Sequence, residues 1–352
     1  MSIGAYVHLP FCRSRCPYCD FASNDLPSPP FARYLDALSR EWRWRARSSF
    51  ADEEVETIYL GGGTPSLFEA ALLSEILALL CAADGAEVTV EANPGDVDAD
   101  WYRALADAGA TRFSIGVQAM DAGRLSWLGR RHGVADSVRA VRAAQASGEV
   151  SVSADLIYGT LGHDAERAAR EARAIAELGV DHASAYELTV APDTPLGKRA
   201  AAGEIDLPDD SALVEIWDAV GEALAAFGFE RYEVSSYAKG ERRCRHNERY
   251  WRGEAYAGLG AGAHGHLTGG GQRLRYANSA RLDAYLDAAI EGRFPASFGG
   301  VGEGAVDDRV SDEGAAMELV ALGLRWADGV DIAALSALVP RDGTTIAQFT
   351  SV

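Results

Sequence analysis

Long apolar runs, basic residues and cysteines are all scarce in this chain, and each shortage excludes a class of protein. The apolar stretch from Ala70 to Ala83 is interrupted by polar residues and is too short to span a bilayer. The chain has 33 basic and 52 acidic residues, and its formal net charge of -19 argues against broad binding of nucleic acid or anionic membranes. Five cysteines in 352 residues are too few for a secreted protein built on disulfides.

The N-terminal sequence also lacks a secretion signal. No basic region followed by an apolar run is present there, so we expect no signal peptide. We expect a soluble protein in the reducing cytoplasm. With 48% hydrophobic residues the chain can bury a substantial core, in one large domain or two to three smaller ones.

Short β-branched runs alternate with longer amphipathic stretches through the first half of the chain. This alternation is typical of βα units on a parallel sheet. Six such units predict an α/β fold, a partial (β/α)6 TIM-like barrel, with a small mixed α/β extension at the C-terminal side. The predicted strands are 3–9, 55–60, 87–91, 112–117, 150–158, 183–188 and 230–237, and the predicted helices are 31–47, 67–83, 98–108, 122–128, 134–146, 166–178, 209–227, 279–291 and 311–325.

The distinctive polar or glycine-rich features fall at or near the C-terminal ends of the predicted strands. In α/β barrels this end carries the active site. Prolines after Thr189 end the βα pattern and predict a linker, and we interpret Cys81 in the second helix as an inert core thiol. The features at the strand ends are the cysteines after strand one, the glycines after strand two, Glu91, Gln118, Asp155 and Tyr186 with Glu187.

Three of the five cysteines lie in one loop, Cys12-Arg-Ser-Arg-Cys16-Pro-Tyr-Cys19. A cubane cluster has four irons, normally with one cysteine each, so three cysteines leave one iron without a protein ligand. Such an iron can bind a small molecule through an amine and a carboxylate. A zinc site is the alternative, with His8, His246 or Cys244 as a fourth ligand, although structural zinc sites usually pair two C-x2-C units.

The C-x3-C-x2-C spacing is the signature of radical S-adenosylmethionine (SAM) enzymes. The flanking residues, Tyr6-Val-His-Leu-Pro-Phe-Cys12 and Cys19-Asp-Phe21, resemble those of the HemW-type haem chaperones, relatives of the oxygen-independent coproporphyrinogen III oxidases. The resemblance implies a [4Fe–4S] cluster on Cys12, Cys16 and Cys19, with SAM on the fourth iron. It further implies that SAM is contacted by Tyr6, Tyr18, Gly61, Gly62, Gly63, Thr64, Glu91, Gln118, Arg130 and Asp155.

A second motif, His246-Asn247-Glu-Arg-Tyr250-Trp251, resembles the H-N-x-x-Y motif of the same chaperones. Haem is the implied third cofactor, since a neutral imidazole is the usual ligand of haem iron. The haem candidates are His246, Asn247 and Tyr250, with Cys244 as an alternative ligand and Trp251 as a further wall. The arginines 242, 243, 245 and 249 are candidates for pairing with haem propionates. The simpler interpretation is a polar loop with solvated arginines.

Two departures from the family pattern stand out. Where the family reads Gly-Leu-Pro-Gly-Gln, this chain reads Gly159-Thr-Leu-Gly-His163, which predicts an altered loop after strand five. The C-terminal region also ends early, in an uncharacteristic segment at 341–352. The resulting division is a radical SAM barrel at 1–190, a barrel extension at 191–305 and an apparently incomplete helical region at 306–352.

Two functions compete. The first is a chaperone that passes haem to apo-haemoproteins such as respiratory cytochromes. The second is a coproporphyrinogen III dehydrogenase, which uses a 5′-deoxyadenosyl radical for two decarboxylations. The dehydrogenases carry a fourth cysteine where this chain has Phe21, and a longer extension before the cysteine loop, so both differences favour the chaperone. The sequence leaves open whether SAM is cleaved and whether the protein is a homodimer.

Overall fold

The structure, a computed structural model, describes residues 2–50, 53–269, 272–294 and 308–338. The strands are β1 (Ser2–Leu9), β2 (Glu54–Gly62), β3 (Glu87–Ala92), β4 (Arg112–Gln118), β5 (Ser151–Tyr158), β6 (His182–Glu187), β7 (Glu230–Arg231), β8 (Ser236–Ala238), β9 (Tyr256–Leu259), β10 (His264–Gly269), β11 (Gln272–Ala277) and β12 (Asp308–Arg309). The helices are α1 (Phe31–Ser48), α2 (Ala70–Leu80), α3 (Ala99–Asp107), α4 (Ala122–Trp127), α5 (Val134–Gln145), α6 (Ala165–Glu177), α7 (Pro195–Ala201), α8 (Asp210–Ala225), α9 (Arg245–Trp251), α10 (Leu282–Glu291), α11 (Asp312–Gly323) and α12 (Ile332–Leu338).

All strands of the described residues form one sheet, in the order β12-β11-β10-β9-β1-β2-β3-β4-β5-β6-β8-β7. Strands β1 to β6 are parallel and follow chain order, as successive βα units require. On one side β9 adds to β1 in parallel, and on the other β8 pairs with β6 antiparallel. The predicted partial (β/α)6 barrel is confirmed.

Helices pack on the outside of the barrel because each has one apolar face. In α3, for example, Trp101, Tyr102 and Leu105 are buried, and the Asp98 carboxylate accepts a hydrogen bond from the Trp101 amide and caps the helix. Outward-facing strand residues such as Val90 are buried against these faces. The barrel interior is different, because its inward-facing positions are largely polar.

A buried ion pair joins the barrel to the C-terminal extension. Glu41 and Arg45, one turn apart on α1, are both fully buried and lie 2.8 Å apart. Glu41 also accepts hydrogen bonds from Asn278 and Tyr285 of the extension, at 2.8 and 2.9 Å. The Arg45 guanidinium stacks 3.6 Å from the centre of the Tyr276 ring. These contacts supply the partners that buried charges require.

The structure corrects several local predictions. Residues 242–251 are not simply a loop, since α9 covers the second motif, and the proline-rich linker contains α7. The predicted strand at 230–237 is two short strands with an irregular stretch between them. The glycine-rich stretch after Gly258 contributes to β9 and β10. Cys81 is exposed at the left-handed C-cap of α2, so its interpretation as a core thiol was wrong.

Among the described residues, no helix is long and apolar enough to cross a membrane. The segment at 341–352 lies outside the described residues. The three-part division at 190 and 305 stays a prediction, and hydrogen bonding runs continuously through the sheet across the first of these points.

Candidate functional site

The cysteine loop leaves the C-terminal end of β1 and is anchored at its stem. Phe11 is fully buried, and the Cys12 amide donates to the Asn24 carbonyl at 2.9 Å. The thiols of Cys12, Cys16 and Cys19 are all half-buried. Burial raises the pKa of the Cys12 thiol, and a hydrogen bond from Thr64 partly offsets this. The loop therefore presents three accessible thiols on a rigid stem.

Two side chains direct hydrogen-bond donors at these sulfur atoms. The Thr64 hydroxyl lies 3.6 Å from the Cys12 sulfur, and Nη1 of Arg130 lies 3.5 Å from the Cys16 sulfur. Donors to sulfur suit a cluster, because they stabilise the negative charge on its thiolate ligands. Within the described residues, no three His, Cys, Asp or Glu side chains converge to hold a single metal ion. A cubane does not need such convergence, since each thiolate binds a different iron, so the residues present fit the cluster.

The glycine-rich turn at the end of β2 packs directly on the base of this loop. Gly62 has φ of +104°, and a Cβ there would lie 2.3 Å from Nδ1 of His8, so only glycine fits. The amides of Gly62, Gly63 and Thr64 donate to Glu91, Leu9 and Phe11. The backbone amides of these three residues are therefore already engaged within the protein. An amine ligand would instead need the carbonyl oxygens of the turn.

Three polar side chains meet over Gly116 on β4. A Cβ at Gly116 would lie 3.0 Å from Asn93 Oδ1, 3.0 Å from Gln118 Nε2 and 3.3 Å from Arg130 Nη2. Arg130 donates to Asn93, whose own amide nitrogen donates to Thr64 at 3.1 Å. Asn93 thus joins the Cys12 side of the loop to the Cys16 side. Asn93 is not among the predicted site residues, although its place directly after β3 was a usable signal.

Gln118 has an unusual backbone. Its φ is +66°, in a region that residues other than glycine rarely adopt, and the pairing of β4 with β5 shifts register just before it. Such an irregularity re-aims a side chain at the end of a strand. The conformation directs Gln118 toward Gly116, beside Arg130.

Two carboxylates, Glu91 and Asp155, lie in the barrel interior on β3 and β5. Glu91 accepts from the Tyr59 hydroxyl at 2.8 Å and from the Gly62 amide at 3.2 Å, and Asp155 accepts from the Ser114 hydroxyl at 3.2 Å. Burial raises the pKa of both carboxyl groups. For Asp155 burial and then the Glu91 charge raise the pKa to about 7. Both side chains are partly exposed, but the surrounding protein removes water from most of each carboxyl group and so raises its pKa.

Two tyrosines flank this group. The Tyr6 hydroxyl is hydrogen-bonded to Nδ1 of His8 at 2.8 Å, and burial raises the pKa of this phenol. Tyr18 packs against the apolar cluster of Leu125 and Leu128. Burial raises its pKa, with Arg130 and Cys16 as charged neighbours. Of the predicted SAM contacts, Thr64 and Arg130 lie against the cysteine sulfur atoms, Gln118 lies beside Arg130, and Glu91 accepts from the glycine turn, whereas Tyr6 also lines the interior cavity that reaches His246.

The haem candidates lie at the other end of the barrel. His246 is 1% exposed, and the position of a Cβ on Gly4, near the start of β1, is 3.1 Å from its ring. Gly4 and Leu9 are about 16 Å apart along β1, at about 3.3 Å per residue. The two predicted sites therefore lie at opposite ends of the same strand.

Both ring nitrogens of His246 are engaged. Nδ1 is hydrogen-bonded to the Thr57 hydroxyl at 2.8 Å and Nε2 to the Tyr250 hydroxyl at 2.9 Å. Burial, and secondarily the Arg249 charge, lowers the pKa of His246 to about 3, so the imidazole is neutral. Asn247 donates to Glu233 at 3.4 Å. Burial raises the pKa of the Cys244 thiol to about 12, so this residue is a poor source of a thiolate.

Three arginines near this motif already have carboxylate partners. Arg249 lies 2.7 Å from Glu56 and 3.1 Å from Glu254, and Arg243 lies 2.8 Å from Asp328. Arg245 lies 4.0 Å from Glu56 and donates to the Gly85 carbonyl. Propionate pairing by these arginines stays a prediction, and it would require an exchange of partners.

A polar cavity of about 210 Å³ occupies the barrel interior between the two ends. The cavity is lined by tyrosine, serine and threonine side chains from several strands. At the end away from the cysteine loop, the lining includes His246 and Tyr250. Two buried polar atoms on this lining, Arg112 Nη1 and Thr89 Oγ1, have no hydrogen-bond partner among the described residues. The cavity is smaller than the 300–1,000 Å³ or so of typical pockets for drug-sized ligands.

Comparisons with known proteins agree with this geometry. Residues 6–183 match the family model described as the radical SAM superfamily. The haem chaperone HemW of Haemophilus influenzae is 36% identical over 81% of this chain and 76% of its own length. HemW of Escherichia coli is 39% identical over 76% of this chain and 70% of its own length. The solved structure of E. coli coproporphyrinogen III oxidase, HemN, a radical SAM enzyme, superimposes with a TM-score of 0.79 at 21% identity over 96% of this chain and 78% of that one, which shows a shared fold.

Proposed function

Since the chain belongs to the radical SAM superfamily and, within it, to the family of the haem chaperone HemW, we propose that it binds a [4Fe–4S] cluster, SAM and haem and delivers haem to apo-haemoproteins. Respiratory cytochromes are the proposed acceptors, and the reducing cytoplasm is the proposed setting. A homodimer is a further part of the proposal.

Cys12, Cys16 and Cys19 are the proposed cluster ligands, with Thr64 and Arg130 as donors to their sulfur atoms. The cluster would supply an iron without a protein ligand, where the amine and carboxylate of SAM bind. Arg130 is the proposed partner of the SAM carboxylate. Glu91 and Asp155 are acceptors for its ribose hydroxyls or ammonium group.

The proposed haem ligand is Nε2 of His246, and one observation carries the chaperone function. This neutral imidazole lies beside Gly4, and Gly4 is about 16 Å along β1 from Leu9, where the cysteine loop begins. Haem iron bound at Nε2 would therefore lie toward the opposite end of β1 from the cluster, where a substrate would be converted. The separation therefore favours binding without conversion.

Haem access requires a local rearrangement, since His246 is buried and hydrogen-bonded on both sides. The Tyr250 hydroxyl holds Nε2, so Tyr250 must rotate and α9 must move away from β2 before iron binds. This requirement makes a prediction of opposite sign for two substitutions. His246→Ala removes the ligand and weakens haem binding, whereas Tyr250→Phe frees Nε2 while keeping an aromatic wall and strengthens it.

The test uses anaerobically reconstituted protein titrated with haem by optical spectroscopy, beside an assay of coproporphyrinogen conversion. We expect stoichiometric haem binding, no protoporphyrinogen, and an altered Soret band in His246→Ala with the cluster intact. Thr57→Ser is the matched control, since it keeps the hydroxyl next to Nδ1. Unchanged haem binding in His246→Ala would exclude this ligand.

The alternative, a coproporphyrinogen III dehydrogenase, is decided by the same assay. Production of protoporphyrinogen with SAM turnover would establish it and would overturn the chaperone proposal, however tightly haem binds. Phe21 stands where those dehydrogenases carry a fourth cysteine, and it is exposed here.

A further inference from the structure

The loop after β5 departs from the family pattern at Thr160 and His163, and both residues contact the same buried ion pair. Arg124 on α4 and Glu171 on α6 form this pair. Nε of Arg124 donates to the Thr160 hydroxyl at 2.8 Å, and its Nη2 donates to the Ile157 carbonyl. Thr160 is fully buried, so this hydroxyl is shielded from water.

His163 lies against the other side of the pair. Its Nδ1 accepts from the Gly159 amide at 3.1 Å, which leaves the proton of the neutral ring on Nε2. That Nε2 is buried, lies 3.6 Å from Glu171 Oε1 and has no hydrogen-bond partner within the described residues. Burial, and then the Arg124 charge, lowers the pKa of His163 to about 3, so the ring adds no second positive charge to the pair.

The pair also reaches the segment that carries Gln118. Oε2 of Glu171 accepts from the Met120 amide at 2.6 Å, two residues beyond Gln118. A backbone at φ of +66° persists only where its surroundings hold it in place. A charged acceptor on a nearby amide is a strong restraint, because charge-assisted hydrogen bonds are about twice as strong as neutral ones.

We propose that Arg124 and Glu171, supported by Thr160 and His163, are positioning residues that hold the Gln118 segment in its SAM-binding form. The ion pair links the loop after β4 to the loop after β5, so a change in one loop is transmitted to the other. This inference rests on the proposed SAM site and adds four residues that do not themselves touch SAM.

The test compares Thr160→Val with Thr160→Ser in the full chain carrying its reconstituted cluster. Valine keeps the shape of threonine but removes the acceptor for Arg124, whereas serine restores that acceptor. We expect the SAM dissociation constant to rise about tenfold in Thr160→Val, equivalent to about 1.4 kcal/mol, and to stay near the wild-type value in Thr160→Ser. The SAM-dependent change in the reduced-cluster EPR signal should weaken in parallel, with haem binding unchanged.

Glu171→Gln is the second variant, and Glu166→Gln on the same helix is its matched control. Glu166 forms an exposed pair with Arg170, so its loss should leave SAM affinity unchanged. Glu171→Gln should weaken SAM binding at least as much as Thr160→Val. If it fails to fold, Thr160→Val still decides, since it keeps both charges.

The outcomes are distinguishable. SAM affinity within twofold of wild type in Thr160→Val would overturn the positioning role while leaving the SAM site intact. An equal loss in Glu166→Gln, or equal losses of SAM and haem binding, would show a general structural effect and would also overturn it. A wild-type protein without SAM affinity would remove the proposed site itself.

Discussion

Replacing Asp155 with asparagine should stabilise the protein and weaken SAM binding at the same time. The Asp155 carboxyl lies in the barrel interior, accepts from Ser114 at 3.2 Å and faces Glu91 across one intervening strand. Burial, and then the Glu91 charge, raises its pKa to about 7. Ionisation of Asp155 therefore destabilises the free protein, and the carboxylate is favoured only when a cation is bound beside it.

The sign of the stability effect follows from the direction of this shift. An aspartate in an unfolded chain has a pKa of about 3.9. Between that value and about 7 the folded protein holds a proton on Asp155 that the unfolded chain has lost. The free energy of unfolding therefore falls as pH rises through this window, by about 1.4 kcal/mol per pH unit and about 4 kcal/mol in total. Asparagine does not ionise and avoids the loss.

The assay is urea unfolding of wild type and Asp155→Asn at about pH 5 and about pH 8. The variant should be more stable at both, and its advantage should grow by about 3 kcal/mol between them, since most of the window lies in this interval. Ser114→Ala is a useful control, because it removes a partner of Asp155 and keeps the ionisable group. An advantage that is absent, or that does not vary with pH, would refute the raised pKa.

SAM binding should respond in the opposite direction. SAM carries a sulfonium and an ammonium group against one carboxylate, so a deprotonated Asp155 favours it. Its affinity for wild type should rise with pH up to about 7, by at most about tenfold per unit, and should be less pH-dependent in Asp155→Asn. Calorimetric titration in buffers of different ionisation heat would also detect the released proton. Identical pH profiles in the two proteins would remove Asp155 from the site.

Replacing Cys12, Cys16 and Cys19 together by alanine should abolish the broad iron–sulfur absorbance and the SAM-dependent EPR change, whereas zinc without iron in reconstituted wild type would contradict the cluster. Glu91→Gln should weaken SAM binding by about 1.5–3 kcal/mol, the value of a hydrogen bond to a charged group. Unchanged affinity in both this variant and Asp155→Asn would exclude the proposed placement. Glu41→Ala should lower the free energy of unfolding by about 3–5 kcal/mol, because its buried arginine partner loses its counter-charge. A loss below about 1 kcal/mol by urea unfolding would contradict that estimate.

Five of the six barrel strands were predictable as short runs with β-branched residues buried on the outer face, whereas β6 has none. The predicted ends of strands two and four, at residues 60 and 117, fall two residues and one residue short of Gly62 and Gln118. The extension was harder. Gly258 and Gly265 lie in strands that pack too closely for any side chain. A Cβ on Gly258 would lie 1.8 Å from the His264 carbonyl oxygen, and a Cβ on Gly265 would lie 2.2 Å from the Tyr276 ring. Rules based on local sequence assign such glycine-rich segments to loops, so these strands were not predicted.

The candidate site was predictable only where a motif has unusual composition. Three cysteines in eight residues are distinctive, but Asn93 is a single amide whose role arises from Thr64 and Arg130 meeting it in space. The placement of His246 at the far end of the barrel was not predictable either. It depends on how α9 packs on the barrel, where Glu87 accepts a hydrogen bond from the His246 amide at 3.0 Å. These two residues are far apart in the chain.

The pairing of β1 with β9 has a consequence for how the protein is made. The strand that presents the cysteine loop leaves the ribosome before its parallel neighbour Tyr256–Leu259, which follows roughly 250 residues later. At about 5–20 residues per second, one edge of β1 waits about 12 to 50 seconds for its partner. Unpaired strand edges invite association with other chains. Nascent chains of this protein thus depend on protection of that edge until β9, in the extension beyond the barrel, has been synthesised.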